Sequence, residues 1–90
     1  MGTFHSNKGE LHGITVAVDT PGTQIFVGRC DTEQPEGIIL LDADEHDEDG
    51  HDLNKEAYLK RAKMVGIWKK HDQIFIPREQ IKSITKLSEV

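Results

Sequence analysis

Apolar and polar residues alternate along the first third of the chain in the manner of short strands separated by turns. Apolar side chains occupy every second position of 14–18, which predicts a strand with one buried face. The Asp-Thr-Pro-Gly sequence of 19–22 then predicts a turn, because proline presets φ and glycine permits positive values. A second strand is expected over 24–30, with Gly28 as a bulge or bend.

The third predicted strand, over 37–44, is apolar on both of its faces. Four aliphatic residues follow one another at 38–41, so one face can line a core while the other needs a second cover. In a chain of 90 residues the expected second cover is a neighbouring subunit. The unpaired edges of such a sheet invite strand pairing between copies, and we therefore expect a cyclic homo-oligomer.

The second half of the chain begins with a charged segment. Residues 45–50 are mostly acidic and end on a glycine, and we expect them to form a loop. Residues 53–64 are rich in helix formers and Asp52 can serve as N-cap, so a helix is expected there, with a strand hairpin as the alternative. Further apolar segments predict the last strands, over 64–68, 73–76 and 81–87.

Charge is unevenly distributed along the chain. The formal net charge is −5, which argues against indiscriminate nucleic-acid binding. Residues 1–54 hold two basic and twelve acidic side chains, whereas residues 55–90 hold nine basic and four acidic ones. Seven of the acids fall within 42–52, so the sequence describes an acidic loop attached to a mildly basic body. Either an ordinary solvated surface or a binding patch fits this distribution.

Several classes of protein are not expected. The single Cys30 rules out an internal disulfide and fits a reducing compartment, so we expect a cytoplasmic protein. No apolar run approaches the ~20 residues of a membrane span, and no membrane partner is expected. The N-terminus lacks the apolar stretch of a signal peptide. No Gly-rich phosphate loop or Ser-His-Asp order is visible, so the protein is not expected to be an enzyme.

The most specific motif lies between residues 30 and 45. Asp31 opens a turn, three aliphatic residues follow at 38–40, and Asp42-Ala43 and Glu45 come after them. This spacing resembles the first signature of the Sm-like (Lsm) family. The aliphatic positions of 76–84 are similar in spacing to the second signature of that family. The Ile-Pro-x-x-x-Ile pattern at 76–81 is also similar to the PRC-barrel family.

The Sm-like resemblance implies a fold and a function. The implied fold is all-β with a minor α part: a small, bent, five-stranded antiparallel barrel of Sm-like or SH3-like type. It forms a single domain over 1–90, with 1–13 as a flexible N-terminal arm and 45–63 as an insertion that contains the acidic loop and the helix. Family members assemble into rings and bind RNA. The implied function is therefore a ring that binds single-stranded RNA, or DNA, as a scaffold or chaperone in RNA processing.

The RNA site implied by the resemblance combines two turns. Gly37 stands at the position of the base-contacting asparagine of the family, and Gln34 lies in the same turn. Arg78 belongs to the second signature, and its guanidinium can stack on a base and donate to phosphate. Arg29 and Lys82 are candidate phosphate contacts. The missing asparagine and the lack of a stacking aromatic favour the alternative, a structural or protein-interaction ring without nucleic-acid binding, whose basic half docks an acidic partner.

The acidic segment also has the residue types of a metal site. Five residues match the spacing of an EF-hand calcium loop: Glu45, Asp47, Asp49, Gly50 and Glu56. The strand expected before them cannot serve as an entering helix. His46 and His51, with the neighbouring aspartates, could instead bind a transition metal. A solvated loop is the more frequent outcome for such a sequence, so no metal or cofactor is expected.

Four apolar or aromatic side chains are expected in the core. Cys30 lies in an apolar strand without a neighbouring histidine, so a packing role is more frequent than a nucleophilic one. Phe26, Trp68 and Phe75 lie in apolar segments where single aromatic residues usually pack inside. Stacking on nucleic-acid bases is the less frequent alternative for Phe26 and Trp68.

Overall fold

The computed structural model describes residues 11–50 and 52–90, and it consists of one five-stranded sheet and one α-helix. The strands are β1 (Thr15–Asp19), β2 (Gln24–Gln34), β3 (Gly37–Asp47), β4 (His71–Pro77) and β5 (Ser83–Lys86). Helix α1 (Lys55–Val65) lies between β3 and β4, and short 3-10 helices occupy Arg78–Gln80 and Leu87–Glu89. The expected fold class, mostly β with a minor helix, is confirmed. Most of the predicted N-terminal arm, residues 1–10, lies outside the described residues.

The strand order is β4-β3-β2-β1-β5, and every neighbouring pair is antiparallel. The β2–β3 ladder is the longest, and its register shifts between Val27 and Arg29 and again between Cys30 and Thr32. The first shift confirms the bulge predicted at Gly28. A Cβ at Gly28 would lie 2.8 Å from the Cβ of Ala43, so the close approach of the strands requires glycine. These bulges bend the sheet, and β4 and β5 form its two edges.

The sheet has a buried face and a second face that the helix covers in part. Ile38 and Leu40 are fully buried in the main core together with Val16, Val18, Phe26, Cys30, Ala43 and Ile76. On the opposite face, Ala17, Ile25 and Val27 pack with Tyr58 of α1. The predicted core positions of Phe26 and Cys30 are therefore confirmed. Ile39 and Leu41 alternate with the core residues of β3 and remain partly exposed on the helix-covered face.

The predicted helix is confirmed, but its ends differ from the prediction. Asn54 is the N-cap instead of Asp52, because its side chain accepts a hydrogen bond from the Ala57 N–H over 2.8 Å. At the other end, α1 includes Val65 and stops at Gly66, which has a φ of 90°. The strand predicted over 64–68 is therefore wrong. Its apolar residues form the last turn of α1 and an irregular connection to β4.

Lys55 connects the first residue of α1 to the β1–β2 turn through hydrogen bonds. Its ammonium donates to Asp19 Oδ1 over 2.7 Å, to the Thr20 carbonyl over 3.0 Å and to the Gly22 carbonyl over 2.6 Å. The Lys55 side chain is only 18% exposed, so these contacts are partly shielded from water. The backbone N–H of Lys55 donates to Glu48 Oε1, so this N–H of the first helical turn has an acceptor outside the helix.

Candidate functional site

A cleft of about 590 Å³ lies between α1 and the adjoining end of β3. Strand β3 contributes Asp44 and His46, the helix contributes Tyr58, Arg61, Ala62 and Val65, and the connection to β4 contributes Gly66, Ile67, Trp68 and Lys70. Asp52 and Leu53 close the end nearest the helix N-terminus. The cleft thus combines apolar walls with polar groups at its floor and rim, as binding sites commonly do.

The floor of the cleft is a buried polar group held between strand and helix. The Tyr58 hydroxyl donates to Asp44 Oδ2 over 2.7 Å, and both residues are less than a tenth exposed. The Tyr58 ring stacks on His46 with ring centroids 4.4 Å apart and planes within 3°. Alternation along β3 places Asp44 and His46 on the same face, the one that α1 covers. The floor therefore consists of two stacked rings and a carboxylate that accepts a hydrogen bond from one of them.

Electrostatic contacts stabilise this floor. The Asp44 carboxylate also accepts the Glu45 N–H over 2.9 Å and lies 3.7 Å from the Lys70 ammonium. Burial and the hydrogen bond to Asp44 raise the pKa of Tyr58 well above its usual range, so the hydroxyl stays protonated and remains a donor. In the described part of the chain, no buried side-chain nitrogen or oxygen lacks a hydrogen-bond partner. The polar groups of the cleft floor therefore have their hydrogen-bond partners within the protein.

The rim of the cleft carries a group of exposed apolar side chains. Met64, Val65 and Trp68 are 81%, 72% and 82% exposed, and we call these three residues the apolar tip. The prediction that Trp68 packs in the core is wrong, because the chain leaves the helix at Gly66 and turns Trp68 outward. Phe75, also predicted in the core, is 49% exposed on strand β4. Exposed apolar groups of this size usually mark an interaction surface.

The structure brings three of the five candidate RNA-binding residues together. Gln34 pairs with Gly37 in the β2–β3 hairpin, and Gly37 pairs with Pro77, the residue before Arg78. The Arg78 guanidinium donates to the Gln34 carbonyl and, over 3.4 Å each, to the Pro35 carbonyl and the Glu33 carboxylate. The Arg78 N–H donors are thus shared among acceptors of the β2–β3 hairpin. Sequence spacing alone does not reveal these contacts.

The other two candidates lie elsewhere on the sheet. The Arg29 guanidinium pairs with Asp42 over 3.1 Å, and both side chains are about half exposed. Lys82 precedes β5, where its backbone N–H donates to the Asp19 carbonyl over 2.8 Å. Asp19 stands opposite Ile25 in the β1–β2 ladder, at the end of that ladder away from Arg29. The five residues therefore do not form one surface patch.

The residues considered for metal binding are engaged in other contacts. Glu45 lies 3.0 Å from the Gln24 amide and 3.1 Å from His71 Nε2, while Glu56 lies in α1 and pairs with Lys60. His46 is part of the cleft floor, and His51 lies outside the described residues. Within residues 11–50 and 52–90, no group of three histidine, cysteine or carboxylate side chains could hold a metal ion.

Cys30 is expected to be chemically inert in the folded protein. Burial, together with the nearby charges of Glu33 and Asp31, raises the pKa of its thiol to about 11. At pH 9 the native thiol should therefore resist iodoacetamide, and mass spectrometry should show alkylation only after unfolding in urea. Since the thiol of an unfolded chain ionises near its usual 9.0, stability should fall as pH rises from 9 to 11. Rapid alkylation of the native chain would contradict this expectation.

Two comparisons of the chain with known proteins found no match. No protein-family model matches it, and no curated protein matches it at a significant level. The described residues also contain no helix that is both long and apolar enough to cross a membrane.

The sequence contains only part of the signal for the cleft. The two-residue spacing of Asp44 and His46 indicates a shared face of a strand. Tyr58 is 14 residues beyond Asp44, and nothing local pairs the two. Trp68 offers no local signal either, because an apolar run of this length fits a strand, a helix end or a buried loop equally well. The fold alone brings these groups to one cleft.

Proposed function

We propose that the protein is a cytoplasmic, non-enzymatic interaction domain whose copies associate through the β3–β4 half of the sheet. One observation carries this proposal. Phe75 is 49% exposed and stands opposite Ile39 in the β3–β4 ladder, on the part of the second sheet face that α1 does not cover. Leu41 is partly exposed on the same face, and β4 is a sheet edge with unpaired backbone groups. A second copy would cover both the apolar side chains and the edge.

The charges beside this surface fit another copy of the chain better than a polyanion. Arg29 stands opposite Leu41 in the β2–β3 ladder and pairs with Asp42. Lys69 lies 2.8 Å from Asp72 and 4.0 Å from Asp42, so both signs are present side by side. A surface of mixed charge can be complementary to itself, whereas RNA requires an excess of positive charge. Because the two sheet edges differ, head-to-tail association would close into a ring or extend as a filament.

The alternative, RNA binding by an Sm-like ring, has less support. The Arg78 donors are already shared with the Gln34 carbonyl and the Glu33 carboxylate. Gly37 cannot be replaced by a base-contacting side chain, because a Cβ there would lie 2.3 Å from the Ile76 carbonyl oxygen. The resemblance to the Sm-like family therefore supports the small β-fold and the self-association more than it supports an RNA site at these residues.

Light scattering at micromolar concentration tests self-association. We expect the wild type to have a multiple of the 10.1 kDa chain mass, and this multiple would also give the number of subunits. Phe75→Lys should convert the assembly to monomers, because a charged side chain on an exposed edge opposes strand pairing. Thr23→Lys adds the same charge in the exposed β1–β2 turn and should leave the mass unchanged. A monomeric wild type would overturn the proposal.

Titration with short U-rich and A-rich RNA at two salt concentrations tests the alternative, RNA binding. The same protein samples serve for this titration and for light scattering. The proposed function predicts no binding at low salt. Binding that weakens with salt and weakens again in Arg78→Ala would instead assign the protein to the nucleic-acid-binding class. Circular dichroism of each variant shows whether the chain is still folded, so that loss of self-association can be distinguished from unfolding.

A further inference from the structure

The apolar tip projects from the protein at the C-terminal end of α1. Met64 and Val65 belong to the last turn of the helix, and Trp68 follows the glycine that ends it. All three side chains are more than 70% exposed and protrude into solvent, and Val65 and Trp68 also line the rim of the cleft. A rigid partner protein would need a matching cavity for such a projection, whereas a fluid lipid interface can admit it without one.

The charges flanking the tip are exclusively positive in sequence. Residues 57–71 contain five basic side chains and no acidic one: Lys60, Arg61, Lys63, Lys69 and Lys70. None of the ion pairs among residues 11–50 and 52–90 involves Arg61. This positive segment occurs in a protein whose net charge is −5, so the cations are concentrated next to the exposed apolar groups.

One acid of the predicted acidic loop, Glu48, lies at the opposite end of the helix. Glu48 Oε1 accepts the backbone N–H of Lys55, which places this acid at the N-terminal end of α1. The helix has 11 residues and is therefore about 16 Å long, and the tip lies at its far end. That distance exceeds a Debye length at physiological salt, about 8 Å. A negatively charged surface can thus meet the tip at a distance from Glu48, whereas Asp44 and Glu45 lie beside Lys70.

Carboxylates close to the tip are engaged with three of the lysines. Lys60 pairs with Glu56 over 3.8 Å, Lys69 with Asp72 over 2.8 Å, and Lys70 lies 3.7 Å from Asp44. The pairs of Lys60 with Glu56 and of Lys69 with Asp72 join side chains that are all more than half exposed, and exposed pairs of this kind are weak enough to exchange partners. The Asp44 side chain is only 9% exposed, so Lys70 stays at the cleft floor. Lys63 donates to the main-chain oxygen of Val90 over 2.9 Å.

We propose that the apolar tip docks the protein peripherally on an anionic lipid bilayer. Trp68, Met64 and Val65 would enter the interface between headgroups and acyl chains, where a tryptophan ring is favoured. Arg61 and the flanking lysines would contact the phosphates of anionic headgroups. No membrane partner was expected from the sequence because a spanning segment is lacking, but peripheral docking does not require one. The proposal does not require self-association through β4, although Lys69 lies beside both surfaces.

Vesicle binding by the full chain tests the proposal directly. Trp68 is the only tryptophan, so its fluorescence reports on the tip without a label. With vesicles of equal parts phosphatidylcholine and phosphatidylglycerol at low salt, we expect co-sedimentation and a blue shift of the emission. Vesicles of phosphatidylcholine alone should give neither, and added salt should weaken binding. Trp68→Ala should reduce co-sedimentation about fivefold or more, without change in the circular dichroism spectrum.

A matched pair of charge variants identifies the surface. Arg61→Gln with Lys63→Gln should weaken vesicle binding about tenfold, whereas Lys82→Gln with Lys86→Gln removes the same charge beside β5 and should have little effect. Equal losses in both pairs, or no binding to anionic vesicles at low salt, would overturn the proposal. So would a Trp68 shift with U-rich RNA or polyglutamate but not with vesicles, which would assign the tip to a different partner. Light scattering of Trp68→Ala shows whether self-association is retained, so the two proposals can fail separately.

Discussion

Gly37→Ala is expected to lower the free energy of unfolding by about 3 kcal/mol. A Cβ at this position would lie 2.3 Å from the Ile76 carbonyl oxygen and 2.8 Å from two carbons of the Phe75 ring. The oxygen belongs to the backbone of β4, so relief of the clash requires β3 and β4 to move apart. The Ile76 side chain is 1% exposed, and that movement would disturb the main core as well.

Urea unfolding followed by circular dichroism measures the effect. In a domain of this size each kcal/mol corresponds to about 4–8 °C in Tm, so thermal unfolding should show a loss above about 10 °C. Gly22→Ala is the matched control, because the nearest atom to its Cβ would be the Thr20 Oγ1 at 4.0 Å and the backbone is not in the left-handed region. Equal stability of the two variants would show that the strands do not approach as closely as described.

Asp44→Ala is expected to cost about 2–3 kcal/mol of folding stability. The substitution leaves the buried Tyr58 hydroxyl and the Glu45 N–H without their acceptor and opens space under the helix. Tyr58→Phe removes only the hydroxyl and should cost less, about 1.5 kcal/mol, since Asp44 keeps the Glu45 N–H and the nearby Lys70. The double variant should be more stable than the sum of the single losses predicts, because both remove the same hydrogen bond.

Asp72→Ala is the control for this series. Asp72 also forms an ion pair, with Lys69, but its side chain is 88% exposed and its loss should change stability little. Chemical unfolding of the four variants at neutral pH completes the cycle. Additive losses for Asp44 and Tyr58 would show that the two side chains are not coupled and that the cleft floor is not the unit described here.

The strands and the main core were predictable because their pattern is local. Alternation over 14–18 and the continuous aliphatic run at 38–41 identify strands whose core-facing residues the structure buries, such as Val16, Ile38 and Leu40. The Gly28 bulge follows from a glycine inside a strand pattern. The helix was predictable from its composition, but not its ends. Asn54 and Asp52 are both good N-caps, and only the hydrogen bond to Ala57 distinguishes them.

The apolar tip and the cleft could not be predicted, because both depend on where α1 stops and packs. An apolar segment such as 64–68 is consistent with a strand, and a tryptophan in it is ordinarily buried. The contacts of Arg78 were equally unpredictable, since one of its partners is the backbone carbonyl of Gln34, 44 residues earlier. Sequence patterns reveal which residues are apolar or charged, but not which charges are already matched.

The contacts of Lys55 bear on the order in which the molecule assembles. They join α1 to a turn 33–36 residues earlier in the chain, whereas β2 and β3 are joined directly by residues 35–36. Closing a two-residue connection restricts far less chain than closing a loop of that length. We therefore expect the β2–β3 hairpin to form early and α1 to dock late. The cleft, which exists only once the helix has docked, would then be the last part of the fold to form and the first to open.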